Sequence, residues 1–176
     1  MKRSICLILA LIIPFCFISC SSLPSAADYI GVLYRPYRAS ITVSEQGRQY
    51  SLSVALDDAG EKTFGFTEPV LLTGISYVFS DSACSMIYGD STLPVSLSGG
   101  DTLSKGVCLW RELLTPTGDF SVSRTGKGEE SKIIVTSKDA EYLFSEADLT
   151  PLSIITDSTE IIFTEFENED LQEGEG

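Results

Sequence analysis

The chain has 176 residues, with 12 basic against 25 acidic, a net charge of −13 and no histidine. A surface this acidic is repelled by phosphate backbones, so nucleic acid is a poor partner, whereas a basic protein face is favoured at low salt. The missing imidazole removes Ser-His-Asp and Cys-His catalysis, His-ligated zinc and the usual proton shuttle, which points away from an enzyme.

Lys2 and Arg3 precede an uncharged run, Ser4 to Ser19, that closes as Phe17-Ile18-Ser19-Cys20. Cations, an apolar stretch and a small residue in that order make a secretory signal. A spanning helix needs roughly 20 apolar residues; this run is shorter and is broken by Pro14. Its end resembles the lipobox of bacterial lipoproteins, with Phe17 where that motif usually carries Leu. The resemblance implies removal of residues 1–19 and a diacylglyceryl group with acyl chains, palmitate among them, on Cys20. Two or three such chains hold a domain firmly at a membrane, at about 0.8 kcal/mol per buried methylene. The expected location is extracytoplasmic. Ser21 after the lipidated cysteine implies the outer membrane where a cell has one, and otherwise the outer face of the cell membrane.

Loss of Lys2 and Arg3 takes the net charge to about −15. Cys6 and Cys16 leave with the signal, so Cys84 and Cys108 remain as an even pair. In an oxidising compartment they are candidates for a disulfide closing a loop of about 25 residues, worth roughly 3 kcal/mol. Two buried free thiols are the equal alternative. Without histidine the pair makes no zinc site, no calcium-loop pattern links Asp81, Asp90 and Asp101, and no metal or cofactor is expected.

Residues 20–28 (CSSLPSAAD) read as the lipidated N-terminus and a polar tether. From Tyr29 onward the dominant signal is period-2 alternation, the mark of half-buried strands. Ile41 and Val43 alternate with Ser40, Thr42 and Ser44, and Tyr50, Leu52, Val54 and Leu56 with Ser51, Ser53, Ala55 and Asp57. Gln46-Gly47 between them predicts a hairpin over residues 39–56. Phe64 and Phe66 continue the pattern until Pro69 stops pairing. Val70-Leu71-Leu72 reads as the start of the next buried strand, with contact to a membrane or lipidated cargo as the alternative. Ile75, Tyr77 and Phe79 follow, then Met86 and Tyr88 after an Asp81-Ser82 turn.

The period changes between Asp101 and Leu114, where Leu103, Val107, Trp110 and Leu114 are spaced by four, three and four residues. That stripe, widened by Leu109 and Leu113, predicts an amphipathic helix capped by Asp101 and ended by Pro116 to Gly118. Strands resume at Phe120–Val122, 132–136, 141–144, 152–156 and 160–166, while residues 168–176 form an acidic tail expected to be disordered. A sheet of about nine twisted strands cannot stay flat. The expected class is mainly β (α+β): a curled antiparallel sheet or incomplete barrel over residues 29–167, its hollow covered by the one helix.

Phe64-Gly65-Phe66-Thr67-Glu68-Pro69, Leu72-Thr73-Gly74-Ile75 and Met86-Ile87-Tyr88-Gly89, set in a lipid-anchored meander, resemble the lipoprotein-carrier superfamily of LolA and LolB. The resemblance implies an open antiparallel barrel with a helical lid over an apolar cavity that holds acyl chains. It assigns no functional residue here.

Inward-facing Tyr50, Leu52, Val54, Phe64, Phe66, Tyr77, Phe79 and Trp110 are the candidate lining of a pocket for an acyl chain, a lipoprotein or another apolar ligand. The same residues would otherwise simply fill a core. The carboxylates at Asp57-Asp58 and at Glu160 and Glu165 fall at turns or strand ends, with no spacing that specifies glycoside hydrolysis. The expectation is a non-enzymatic, membrane-tethered binding protein. A structural or protein-interaction module of the cell envelope, with a filled core and an acidic binding surface, is the alternative.

Overall fold

The computed structural model describes residues 24–80, 83–96, 102–128 and 131–168. The signal, Cys20, the Asp81-Ser82 turn, the Asp101 cap and the acidic tail lie outside the described residues.

Chain order is α1 (Ala26–Gly31), a 3-10 turn at Val32–Tyr34, then β1 (Tyr37–Glu45), β2 (Arg48–Leu56), β3 (Lys62–Glu68), β4 (Ile75–Phe79), β5 (Cys84–Tyr88) and β6 (Ser91–Pro94). After α2 (Thr102–Leu113) come β7 (Ser121–Thr125), β8 (Lys132–Thr136), β9 (Glu141–Ser145), β10 (Pro151–Ile155) and β11 (Thr159–Asn168). The strands form one antiparallel sheet in the order β6-β5-β4-β3-β2-β1-β11-β10-β9-β8-β7. Each strand pairs with its sequence neighbours except β6 and β7, which do not pair with each other and form the two edges, while β1 meets β11 at the centre. The barrel is therefore open. Because α2 connects those two edges, the chain must cross the hollow between them, and the helix is laid over the concave face.

Alternation decides which side chains point inward. Tyr37, Ala39, Ile41 and Val43 of β1 and Leu52, Val54 and Leu56 of β2 are buried, while the intervening serines and threonines lie on the convex face. Opposite Ser53, Gly65 keeps that face close-packed, since a Cβ there would come within 2.8 Å of the Ser53 hydroxyl. Register shifts at Ser40/Ile41, Ser51/Leu52 and Pro151/Ser153 each add local twist and help the sheet to curl.

Three features differ from the sequence reading. The sheet has eleven strands rather than about nine; β6 is a wholly exposed four-residue edge ending in Pro94, too short and polar to show a period. A second helix, α1, begins within the stretch read as tether. The Asp28 carboxylate accepts from the Ser25 N–H at 2.7 Å and its hydroxyl at 2.9 Å, and Tyr29 and Ile30 are buried. Six residues give less than two turns, too few for a helical stripe. Val70–Leu72 is a 3-10 turn and not a strand start. Pro69 offers no N–H to extend β3, and Leu72 N–H donates back to the Pro69 carbonyl at 2.8 Å.

Candidate functional site

Of the expected stripe, Val107, Trp110 and Leu113 of α2 and Leu114 just after it are buried, while Leu103 and Leu109 are half-buried. Gly106 lets the backbone come close, for a Cβ there would stand 3.4 Å from both the Glu45 carboxylate and the Trp110 ring. Beneath the helix lies a layer of rings. Trp110 is 5.3 Å from Tyr50 and 6.2 Å from Phe66 between ring centroids. Phe66 stands 6.3 Å from Tyr77, and Phe64 5.7 Å from Phe79 edge-on.

Seven of the eight candidate lining residues thus fall on the concave face of the sheet, and Trp110 meets them from α2. Leu52, Val54, Phe64, Phe66, Tyr77, Phe79 and Trp110 are buried, and Tyr50 is half-buried. Tyr50 and Trp110 border a cleft of about 220 Å³ between the β1–β2 turn and the first half of α2, with Glu45, Arg48, Leu103 and Lys105 at its rim. On the opposite flank, Leu109 and Leu113 face a wider groove of about 570 Å³ toward Thr136–Glu141 and Ile155–Ser158. These clefts run beside the helix. The inner rings pack on one another.

The far end of α2 is pinned by a residue that sequence reasoning missed. Lys62, 3% exposed, donates to the Leu114 carbonyl at 2.7 Å, and its ammonium lies 5.7 Å from the centre of the Tyr37 ring. Among the described residues no carboxylate pairs with it. Burial, helped by the nearby Arg111 guanidinium, pushes its pKa down to about 7. The signal was available: Lys62 shares the parity of Phe64 and Phe66, so alternation turns it inward with them. Tyr34 adds a second tie, its hydroxyl donating to the Pro116 carbonyl just after the helix.

Buried hydroxyls elsewhere on this face stay neutral. Desolvation raises Tyr37 and Tyr29, and takes Tyr142 up to about 12. Among the described residues, Tyr37 Oη and Trp110 Nε1 are buried without a hydrogen-bond partner. Cys84 is buried on β5 and Cys108 half-buried on α2, and both thiols are free.

Large apolar side chains also reach solvent at one end of the sheet. Val70 is 86% and Leu71 92% exposed, with Tyr88 exposed on β5 and Leu93 on the edge strand β6. Pairing of Ser51 with Glu68 puts the Val70–Leu71 turn at the same end as the β1–β2 turn, and so at the end where the smaller cleft opens. Among the described residues no cluster of acidic and thiol groups is arranged to hold a metal, and no helix is long and apolar enough to cross a membrane.

No protein-family model matches the chain, and no curated protein matches it. Solved structures do. An uncharacterized conserved protein from Thermus thermophilus is similar over 80% of this chain and 83% of its own, at 14% identity and a TM-score of 0.52. MucB is similar over 82% of this chain and 58% of its own, at 10% identity and a TM-score of 0.49. A LolA superfamily protein from Nitrosomonas europaea is similar over 85% of this chain and 96% of its own, at 11% identity and a TM-score of 0.42. At such identities the likeness is one of fold.

Proposed function

We propose that this chain is a non-enzymatic, lipid-anchored extracytoplasmic protein that takes an acyl chain, a lipoprotein or a comparable apolar ligand onto its concave face. The observation that carries this reading is the open barrel whose apolar hollow is covered by a helix belonging to neither wing of the sheet. An apolar ligand entering from the cleft beside Tyr50 and Trp110 replaces contacts of α2 with contacts of its own, at little net cost in buried area. The exposed Val70–Leu71 turn at that end offers such a ligand its first apolar contact. An exposed pair of this kind is dispensable for folding and so reads as an interaction point. The absence of histidine from the sequence supports a binding role over catalysis.

A second reading, a protein-interaction module of the envelope with a filled core, draws on the packed ring layer and the net charge of −13. It predicts a basic partner whose affinity falls with salt.

Native mass spectrometry of the protein solubilised from membranes separates the two. A co-purified lipid, removed by solvent extraction and reduced in both Trp110→Ala and Leu71→Asp, is the expected result. A clean apo mass, with no uptake of added fatty acid or lipopeptide, would overturn the ligand-binding reading and leave the module.

A further inference from the structure

We propose that Cys84 and Cys108 are a redox pair whose bond clamps α2 onto β5 and so fixes the cover of the concave face. α2 touches the sheet at two points along β4. Ser104 and Tyr77 share a hydrogen bond of 3.3 Å, and the Arg111 guanidinium sits 5.3 Å over the Phe79 ring. Tyr77 and Phe79 are inward residues of β4, so α2 is seated on β4 on either side of Cys108. Residues 104, 108 and 111 share one helix face by i, i+4 and i, i+3 spacing. In the next strand, Cys84 is the direct cross-strand partner of Phe79, and Val95 N–H donates to its carbonyl at 2.9 Å from beyond β6. Cys108 is therefore held above the junction of β4 and β5, where Cys84 points inward.

Burial and shared charges shift both thiols. Burial pushes the Cys84 thiol up to about 11, the Cys108 charge adds to that rise, and Arg111 opposes it. Cys108 is raised by burial and by Glu112, and lowered by the same Arg111. One guanidinium thus acts on both sulfurs. Their reactivity differs, because Cys108 is half-buried while Cys84 is 4% exposed.

The oxidant is a small or protein disulfide, which the extracytoplasmic placement proposed above would supply. The Cys108 thiolate attacks one sulfur of the oxidant and releases the other as a thiolate, which leaves a mixed disulfide on Cys108. Cys84 then loses its proton to solvent and attacks the Cys108 sulfur, expelling the second oxidant thiolate. Two protein thiols become one disulfide while the oxidant disulfide becomes two thiols. Bonded, the helix is tied to the β6 side of the sheet at its middle, in addition to the Lys62 contact at its end.

The test uses the purified protein treated with oxidised glutathione, digested without reduction and mapped by mass spectrometry, which also separates these two cysteines from the others. Expected are a Cys84–Cys108 cross-linked peptide in the wild type and a glutathione adduct on Cys108 trapped in Cys84→Ser. In parallel, amide exchange across α2 should slow by about tenfold in the bonded form. A stable adduct on Cys108 in the wild type with Cys84 free would overturn the pairing. A cross-link that leaves α2 exchange unchanged would overturn the clamp. Neither outcome depends on whether a ligand binds, so failure here is distinct from failure of the ligand-binding reading.

Discussion

Lys62 shows how one inward position sets a pH dependence. A buried amine whose pKa falls to about 7 from 10.5 binds fewer protons folded than unfolded between those values. Stability contributed at this site is therefore lowest below pH 7, where charge must be buried, and rises as pH climbs from about 7 toward 10. Replacing Lys62 by Met removes that cost together with the bond to Leu114. The variant's stability relative to wild type, read from urea unfolding, should drop by on the order of 2 kcal/mol between about pH 6 and about pH 9. Comparing the two proteins at each pH cancels the opposing effect of Cys84, which is held neutral by burial until about 11. A flat difference across that range would mean that Lys62 is solvated in the folded protein. Lysine chemistry alone suggests an exposed side chain; only its parity with two phenylalanines says otherwise.

At the scale of elements, α2 is the part on which the architecture turns. Its stripe was readable because twelve residues give three turns of period, and Val107, Trp110 and Leu114 recur on the buried face. Trp110→Ala removes the ring that contacts Tyr50 and Phe66, and the cavity left should cost about 3–5 kcal/mol in chemical denaturation. Trp110→Phe should cost well under half as much, because the buried Nε1 has no partner among the described residues to lose. Equal losses for both variants would indicate a hydrogen bond formed by the indole. The Val70–Leu71 turn behaves oppositely. Leu71→Asp should leave the unfolding midpoint unchanged, within about 0.5 kcal/mol, since the side chain is 92% exposed. Here the apolar triplet misleads, since three consecutive apolar residues look the same in a buried strand and in a projecting turn.

For the whole molecule, the anchor and the domain make separable predictions. If Cys20 carries the acyl chains, Cys20→Ser should move the protein from the membrane pellet to the soluble fraction after alkaline extraction and abolish palmitate labelling. Retention in the pellet would instead make residues 1–19 an uncleaved anchor. The domain should fold equally well in both cases, because its core is built from α1, the sheet and α2. Its acidic surface suits a body held off anionic headgroups by a tether, so membrane association of the Cys20→Ser protein should not be restored by low salt.

The sequence by itself determined the class: alternation with a period of two fixes which side of each strand is apolar, and a single break in that period locates α2. It also placed Tyr50, Leu52, Val54, Phe64, Phe66, Tyr77 and Phe79 on the inward side by strand parity and Trp110 on the apolar face of α2 by helical spacing, since both periods are local properties. Tertiary structure alone decided that β1 closes against β11, that β6 and β7 remain open edges, and that α1 packs Tyr29 against Phe144 at 5.6 Å. Each of these depends on whether segments far apart in the chain meet or stay apart, and no local spacing encodes that. The same reason explains Lys62. Its burial comes from the end of the helix that lies over it, and what lies overhead is written in another part of the chain.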